Sequence, residues 1–202
     1  MTIGTIGTIG SIGIIACGAI ATHISNIASR EGFDLTIYPL PPLLHNHPEK
    51  IAGEVEQKYL ELKDKHEKFA VAYADCGSYG AVDKVIQKYG LNRLGGDHCY
   101  DVFASKEKIF KLTTEGTYFL TDYLVKSFHR SVVVELGLDR HPELIDDYFK
   151  NYSKVMWLAQ NPTEELKLAA QAAADLMKLP LEIEVVGESG LLDELKRLLN
   201  HI

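Results

Sequence analysis

Short apolar runs, several closing on glycine or cysteine and most followed by a helical stretch, recur along this chain and constrain its fold more than any other feature. Residues 12–16, 33–38, 69–74, 92–94, 155–159 and 181–186 read as strands. Helical stretches are expected over 19–30, from residue 48 onward, and over 79–89, 117–129, 161–178 and 191–199, with another starting in 138–143. The run 69–74 is apolar throughout, the pattern of a central strand covered on both faces. This alternation predicts an α/β fold: a mostly parallel β-sheet with helices on both faces. A single domain over 12–202 is expected, behind a low-complexity lead-in at 1–11 that repeats Thr-Ile-Gly three times.

The punctuation agrees with that reading. Gly32 follows the first helix, where glycine is favoured. Pro39, Pro41 and Pro42 force an irregular loop, because proline donates nothing to a sheet ladder. Pro48 suits a first helical turn, and Ile51, Val55, Tyr59, Leu62 and His66 fall on one apolar stripe after it. Asn161, Pro162 and Glu164 read as a helix start with Asn161 as the N-cap.

The three cysteines carry the chemistry. Cys17 and Cys76 each follow a strand directly, and Cys99 lies a few residues past another. Ligands of open parallel sheets bind outside the carboxyl ends of the strands, and neighbouring strands lie about 4.8 Å apart. Side chains from adjacent strand ends therefore reach a common point. Taken alone, Cys17 reads as a small buried hydrophobe. Cys76 and Cys99 sit among Asp75, Gly77, Asp97 and His98 and read as site residues. The expectation is a metal site with Cys17, Cys76 and Cys99 as ligands. It holds an iron–sulfur cluster with one open iron, or alternatively zinc with His98, another histidine or a substrate thiol as fourth ligand. No Cys-x-x-Cys pair is present, and three cysteines without an evident fourth favour the cluster.

Other residues fill out the site. His45, on the proline-rich loop, is the functional histidine by this reading. Asp75 is a candidate base or ligand-orienting carboxylate, with capping of the turn as its ordinary role. Gly77 allows close backbone approach, Tyr79 offers a hydrogen bond to a bound cofactor, and His98 stands beside Cys99. Arg140 either binds a substrate carboxylate or pairs with Asp122, which lies inside an apolar helical stretch. His47 and His141, each in His-Pro-Glu, read as helix starts. No P-loop, dinucleotide-binding glycine motif or Gly-x-Ser-x-Gly elbow occurs.

A net charge of −7 gives no electrostatic case for nucleic acid or an anionic membrane. A small-molecule substrate is the expected partner. Parallel-sheet chains of this size often pair, so a homo-oligomer is compatible, although no residue marks an interface. An odd cysteine count does not suit a closed disulfide framework. The apolar stretch 9–21 precedes the first basic residue, Arg30, and so lacks the charged start of a targeting segment. The expected location is cytoplasmic.

The motifs Ala16-Cys17-Gly18-Ala19, Leu44-His45-Asn46, Tyr73-Ala74-Asp75-Cys76-Gly77 and His98-Cys99-Tyr100 occur in a known order. They are followed by residues 117–122 and 136–144. Together they resemble the family called domain of unknown function 1638, over residues 12–187. The resemblance implies that all three cysteines belong to family motifs. Some relatives lie near corrinoid-dependent methyltransferase systems, which implies a link to methyl transfer or one-carbon metabolism and a corrinoid-system protein as partner. The resulting expectation is a metal-dependent lyase or transferase acting by Lewis-acid or thiol-activating chemistry. Its alternative is a non-catalytic protein that binds or delivers a cofactor of a corrinoid or metal system.

Overall fold

The computed structural model describes residues 11–202; the Thr-Ile-Gly repeat at 2–10 lies outside them. The chain begins with β1 (Ile12–Cys17), α1 (Ala21–Glu31), β2 (Leu35–Leu40), α2 (Pro48–Leu62), β3 (Lys68–Ala72) and α3 (Ala81–Tyr89). Next come α4 (Cys99–Ala104), α5 (Lys106–Leu112), β4 (Thr117–Thr121), α6 (Asp122–Phe128) and α7 (Ile145–Phe149). It ends with β5 (Lys154–Ala159), α8 (Glu164–Met177), β6 (Leu181–Val185) and α9 (Ser189–Leu199). Among the described residues every strand pairing is parallel, and helices flank the strands, so the chain is α/β as its alternation requires. Among the described residues the strands form two three-stranded sheets, ordered β2-β1-β3 and β4-β5-β6. Contacts divide the chain into two compact units, one up to Gly95 together with Glu194–Ile202, the other Gly96–Asp193.

In the first unit β1 is central, and Ile14, Ile15 and Ala16 are fully buried. Ala16 pairs with Ala72 and Cys17 with Leu40, so Cys17 is level with Tyr73, the residue after β3. In-register residues of parallel neighbours face the same side, which sets these two side chains next to each other. Pro39 lies inside β2, as it can because β2 is an edge strand. Of the expected α2 stripe, Ile51, Val55 and Leu62 are buried, and His66 beyond the helix end is buried as well. Each large apolar side chain fully removed from water contributes about 1.5–3 kcal/mol, and these anchor α2. The expected strand at 92–94 reduces to a single parallel bridge between Arg93 and Val71.

In the second unit, Trp157 and Leu158 of the central strand β5 are fully buried. Trp157 packs with Leu120, Phe128 and Phe149 and with the apolar face of α8. The sequence reads 117–129 as one helix, whereas the structure has a strand followed at once by a helix. Aromatic and β-branched residues of Thr117–Thr121 pair with β5, and Thr121 then caps α6 by accepting from the Leu124 N–H at 3.4 Å. The cap of α8 is likewise Thr163, whose hydroxyl accepts from the Leu166 N–H at 3.2 Å, and not Asn161.

Candidate functional site

The strongest concentration of reactive side chains lies at the carboxyl end of the first sheet. Cys17 closes β1 and is 1 % exposed. After β2 the chain turns through a short 3₁₀ segment, Pro42–Asn46, which carries His45. Gly18 makes this possible: a methyl group there would strike the Leu40 carbonyl oxygen and the Pro42 ring. The loop therefore packs directly on the glycine and brings the His45 imidazole to the Cys17 thiol, with both ring nitrogens 3.9 Å from Sγ. His45 Nδ1 lies 3.0 Å from the Pro42 carbonyl oxygen. A carbonyl only accepts, so Nδ1 carries the proton and Nε2 has the free lone pair.

Cys76 approaches the same imidazole from the turn between β3 and α3. Burial disfavours the imidazolium, but the hydrogen bond and charge of Cys76 and the Pro42 carbonyl outweigh it, holding His45 above its ordinary pKa. Two thiols thus share one histidine. Burial, opposed by hydrogen bonds from the Ala19 and Ile20 backbone, pushes the Cys17 thiol up to about 11.

The Cys76 turn is tightly built. Cys76, Gly77, Tyr79 and Gly80 all have positive φ, 49°, 81°, 52° and 79°. For Cys76 and Tyr79 that conformation costs on the order of 1–3 kcal/mol each. Asp75 holds the turn: its carboxylate accepts from the Ser78 hydroxyl (2.7 Å), the Tyr79 N–H (3.0 Å) and the Gly80 N–H (2.8 Å). Partial burial acts against its charge, yet these three donors and the Arg93 charge keep its pKa below the usual range. Asp75 thus takes the capping role. Gly77 supplies a left-handed turn position, and Tyr79 is 94 % exposed beside Cys76.

Tyr73 completes the cluster, and the sequence reading passed over it. Its ring stacks on His45 with centroids 6.3 Å apart. The residue is fully buried, and its hydroxyl finds no hydrogen-bond partner among the described residues. It stands beside the Cys17 thiol, close enough for each group to act on the other's ionisation. Burial first, and the charges of Cys17 and Cys76 after it, raise the Tyr73 pKa far beyond the ordinary value, so the group stays a donor. The available signal was a tyrosine within the apolar run 69–74, because a buried tyrosine hydroxyl normally needs a partner.

The remaining sequence candidates belong to the second unit. Cys99 is the first residue of α4. The Asp101 carboxylate accepts from the backbone N–H of Asp97 and His98, at 2.8 and 3.1 Å, and fixes the start of that helix. Arg140 is exposed, with Asp139 3.7 Å away. Asp122, read from sequence as its possible partner, is instead buried among neutral donors. It accepts from Trp157 Nε1 (2.9 Å), the Gln160 N–H (3.1 Å) and the Asn161 N–H (2.8 Å). That carboxylate is structural. His47 and His141 precede Pro48 and Pro142 at helix starts, each facing the glutamate two residues on.

Among the described residues no group of three or more His, Cys, Asp and Glu side chains is placed to hold a metal ion. A family profile described as protein of unknown function (DUF1638) matches residues 39–199. The chain belongs to this family. The match includes His45, Tyr73, Cys76 and Cys99 and begins after Cys17. No curated protein and no solved structure matches the chain. Among the described residues, no helix is long and apolar enough to cross a membrane.

Proposed function

We propose that this family member is a metal-dependent enzyme whose site forms at the carboxyl end of the first sheet when a bound ion draws Cys17, Cys76 and His45 together, because in the metal-free arrangement these three are not yet placed to hold one. The observation that carries the reading is the single imidazole placed against two thiols, with its Nδ1 anchored on the Pro42 carbonyl. Two thiolates and an imidazole suit zinc or an iron–sulfur centre, and a carbonyl behind the histidine is the usual outer partner of a metal-bound imidazole. A strained non-glycine residue such as Cys76 also fits a functional position.

When bound, such a group supplies an open Lewis-acid position or an activated thiolate for a small substrate. The chain's own residues do the positioning. Pro42 fixes the histidine tautomer, and Asp75 holds the Cys76 turn rigid. Gly18 lets the His45 loop close, and the exposed Tyr79 ring offers a surface beside Cys76. Methyl transfer to a thiol is one reaction within this chemistry.

Anaerobic purification with iron, zinc and sulfide analysis tests the reading. The expected result is one metal centre per chain, lost in Cys17→Ser and in Cys76→Ser. Iron with labile sulfide indicates a cluster, and zinc without sulfide indicates two thiolates and His45 around one ion. Metal-free protein from a carefully anaerobic preparation that also takes up no added zinc, cobalt or iron sinks the proposal.

A further inference from the structure

The two thiols beside His45 are not equivalent. Both imidazole nitrogens lie 3.9 Å from the Cys17 sulfur. A point equidistant from the two nitrogens is in line with neither lone pair, and Cys17 is only 1 % exposed. Cys17 therefore neither gives its hydrogen to the ring in good geometry nor meets a dissolved molecule. Cys76 differs on both counts: it is hydrogen-bonded to His45, and it is half-buried. With Nδ1 anchored on the Pro42 carbonyl, Nε2 is the ring atom left to accept a thiol hydrogen. The backbone beside this sulfur also has a donor to spare. The Ser78 N–H goes to the Asp75 carbonyl, and the Tyr79 and Gly80 N–H groups go to the Asp75 carboxylate. The Gly77 N–H, next along the chain from Cys76, donates to no acceptor among the described residues.

We propose that Cys76 is a nucleophile for acyl transfer from a small ester or thioester, with His45 as general base and the Gly77 N–H as donor to the substrate oxygen. This goes beyond the metal reading and needs no metal. A thiol hydrogen-bonded to an imidazole is the arrangement that activates sulfur for attack. A sharp strand-to-helix turn is a backbone that presents a nucleophile, and Cys76 lies in such a turn between β3 and α3. As the sulfur attacks the carbonyl carbon, its hydrogen passes to His45 Nε2. The carbonyl oxygen gains the negative charge, which a backbone N–H stabilises. Collapse breaks the bond to the leaving oxygen or sulfur, which takes the proton back from His45, and a thioester remains on Cys76. Water, giving a proton to Nε2, then splits the carbon–sulfur bond, restores the thiol and releases a carboxylic acid.

The test is reaction of the full chain with p-nitrophenyl acetate, with chelator present throughout so that metal content does not enter. Release of p-nitrophenolate gives the rate, and peptide mass mapping locates the acetylated cysteines. Cys99, also half-buried, is the comparison within the same chain. Acetylation of Cys76 is expected to outpace that of Cys99 by about 100-fold or more, and unfolding in urea is expected to abolish the preference. His45→Gln, checked by thermal unfolding to be folded, is expected to slow Cys76 by a similar factor. Equal rates at Cys76 and Cys99 in the folded, unaltered chain overturn the inference without recourse to any variant. A folded His45→Gln that reacts at the unaltered rate overturns it as well, leaving the contact a structural one. The metal analysis above bears on the metal reading alone, so the two can fail separately.

Discussion

His45 makes its environment measurable. Its folded pKa is raised, so pairing with Cys76 contributes stability that is complete below the ordinary imidazole value, about 6.5, and disappears as pH rises through the raised value. Thermal unfolding of the unaltered chain and His45→Gln between about pH 5 and about pH 9 therefore gives a gap that is widest at the acid end. A gap independent of pH contradicts the pairing. Asp75 behaves with the opposite sign: its lowered pKa adds stability above the carboxylate range, which is lost as pH falls through the depressed value. Asp75→Ala removes the acceptor for three donors and is expected to cost about 1–2 kcal/mol, read from denaturant midpoints at neutral pH. If the loss is absent, the carboxylate does not hold the turn.

At the level of elements, Gly18 decides whether the site forms. A methyl group there meets the Leu40 carbonyl and Pro42, so the loop bearing His45 must retreat. Gly18→Ala is expected to lower stability by about 1–3 kcal/mol and to expose Cys17 to iodoacetamide, from which burial shields it. Unchanged thiol reactivity argues that the loop does not depend on this contact. The strand end bearing Cys17 was legible in the sequence because an apolar run followed by glycine marks a strand-to-turn transition, whereas Cys76, expected directly after a strand, lies in a turn beyond β3, which ends at Ala72. Residues 117–129 were not legible, because Thr121 ends β4 and caps α6 in one step, with no glycine or proline between them. The meeting of His45 with both thiols was also hidden, since it depends on a proline-rich loop packing on Gly18. Tyr73 looked like one more apolar strand residue, and only the level placement of β1 and β3 sets its hydroxyl against a thiol.

For the whole molecule, the alternation of strands and helices was enough to establish parallel α/β structure. It could not tell one sheet from two, because parallel pairing joins residues far apart in sequence and leaves no local mark. Each unit has a central strand with a fully buried stretch, residues 14–16 of β1 and 157–159 of β5. Native-state hydrogen exchange is expected to be slowest in those two strands and faster in the edge strands β2 and β6. Equal protection along β6, whose Ile183 and Val185 are exposed, would mean that another chain covers that edge. The left-handed backbone at Cys76 has a consequence for protein engineering. Glycine adopts that conformation without strain, so a search for heat-resistant variants, blind to activity, should favour Cys76→Gly. Such a variant would hold the turn more comfortably and have no thiol, and its enrichment would show that stability is given up here for chemistry.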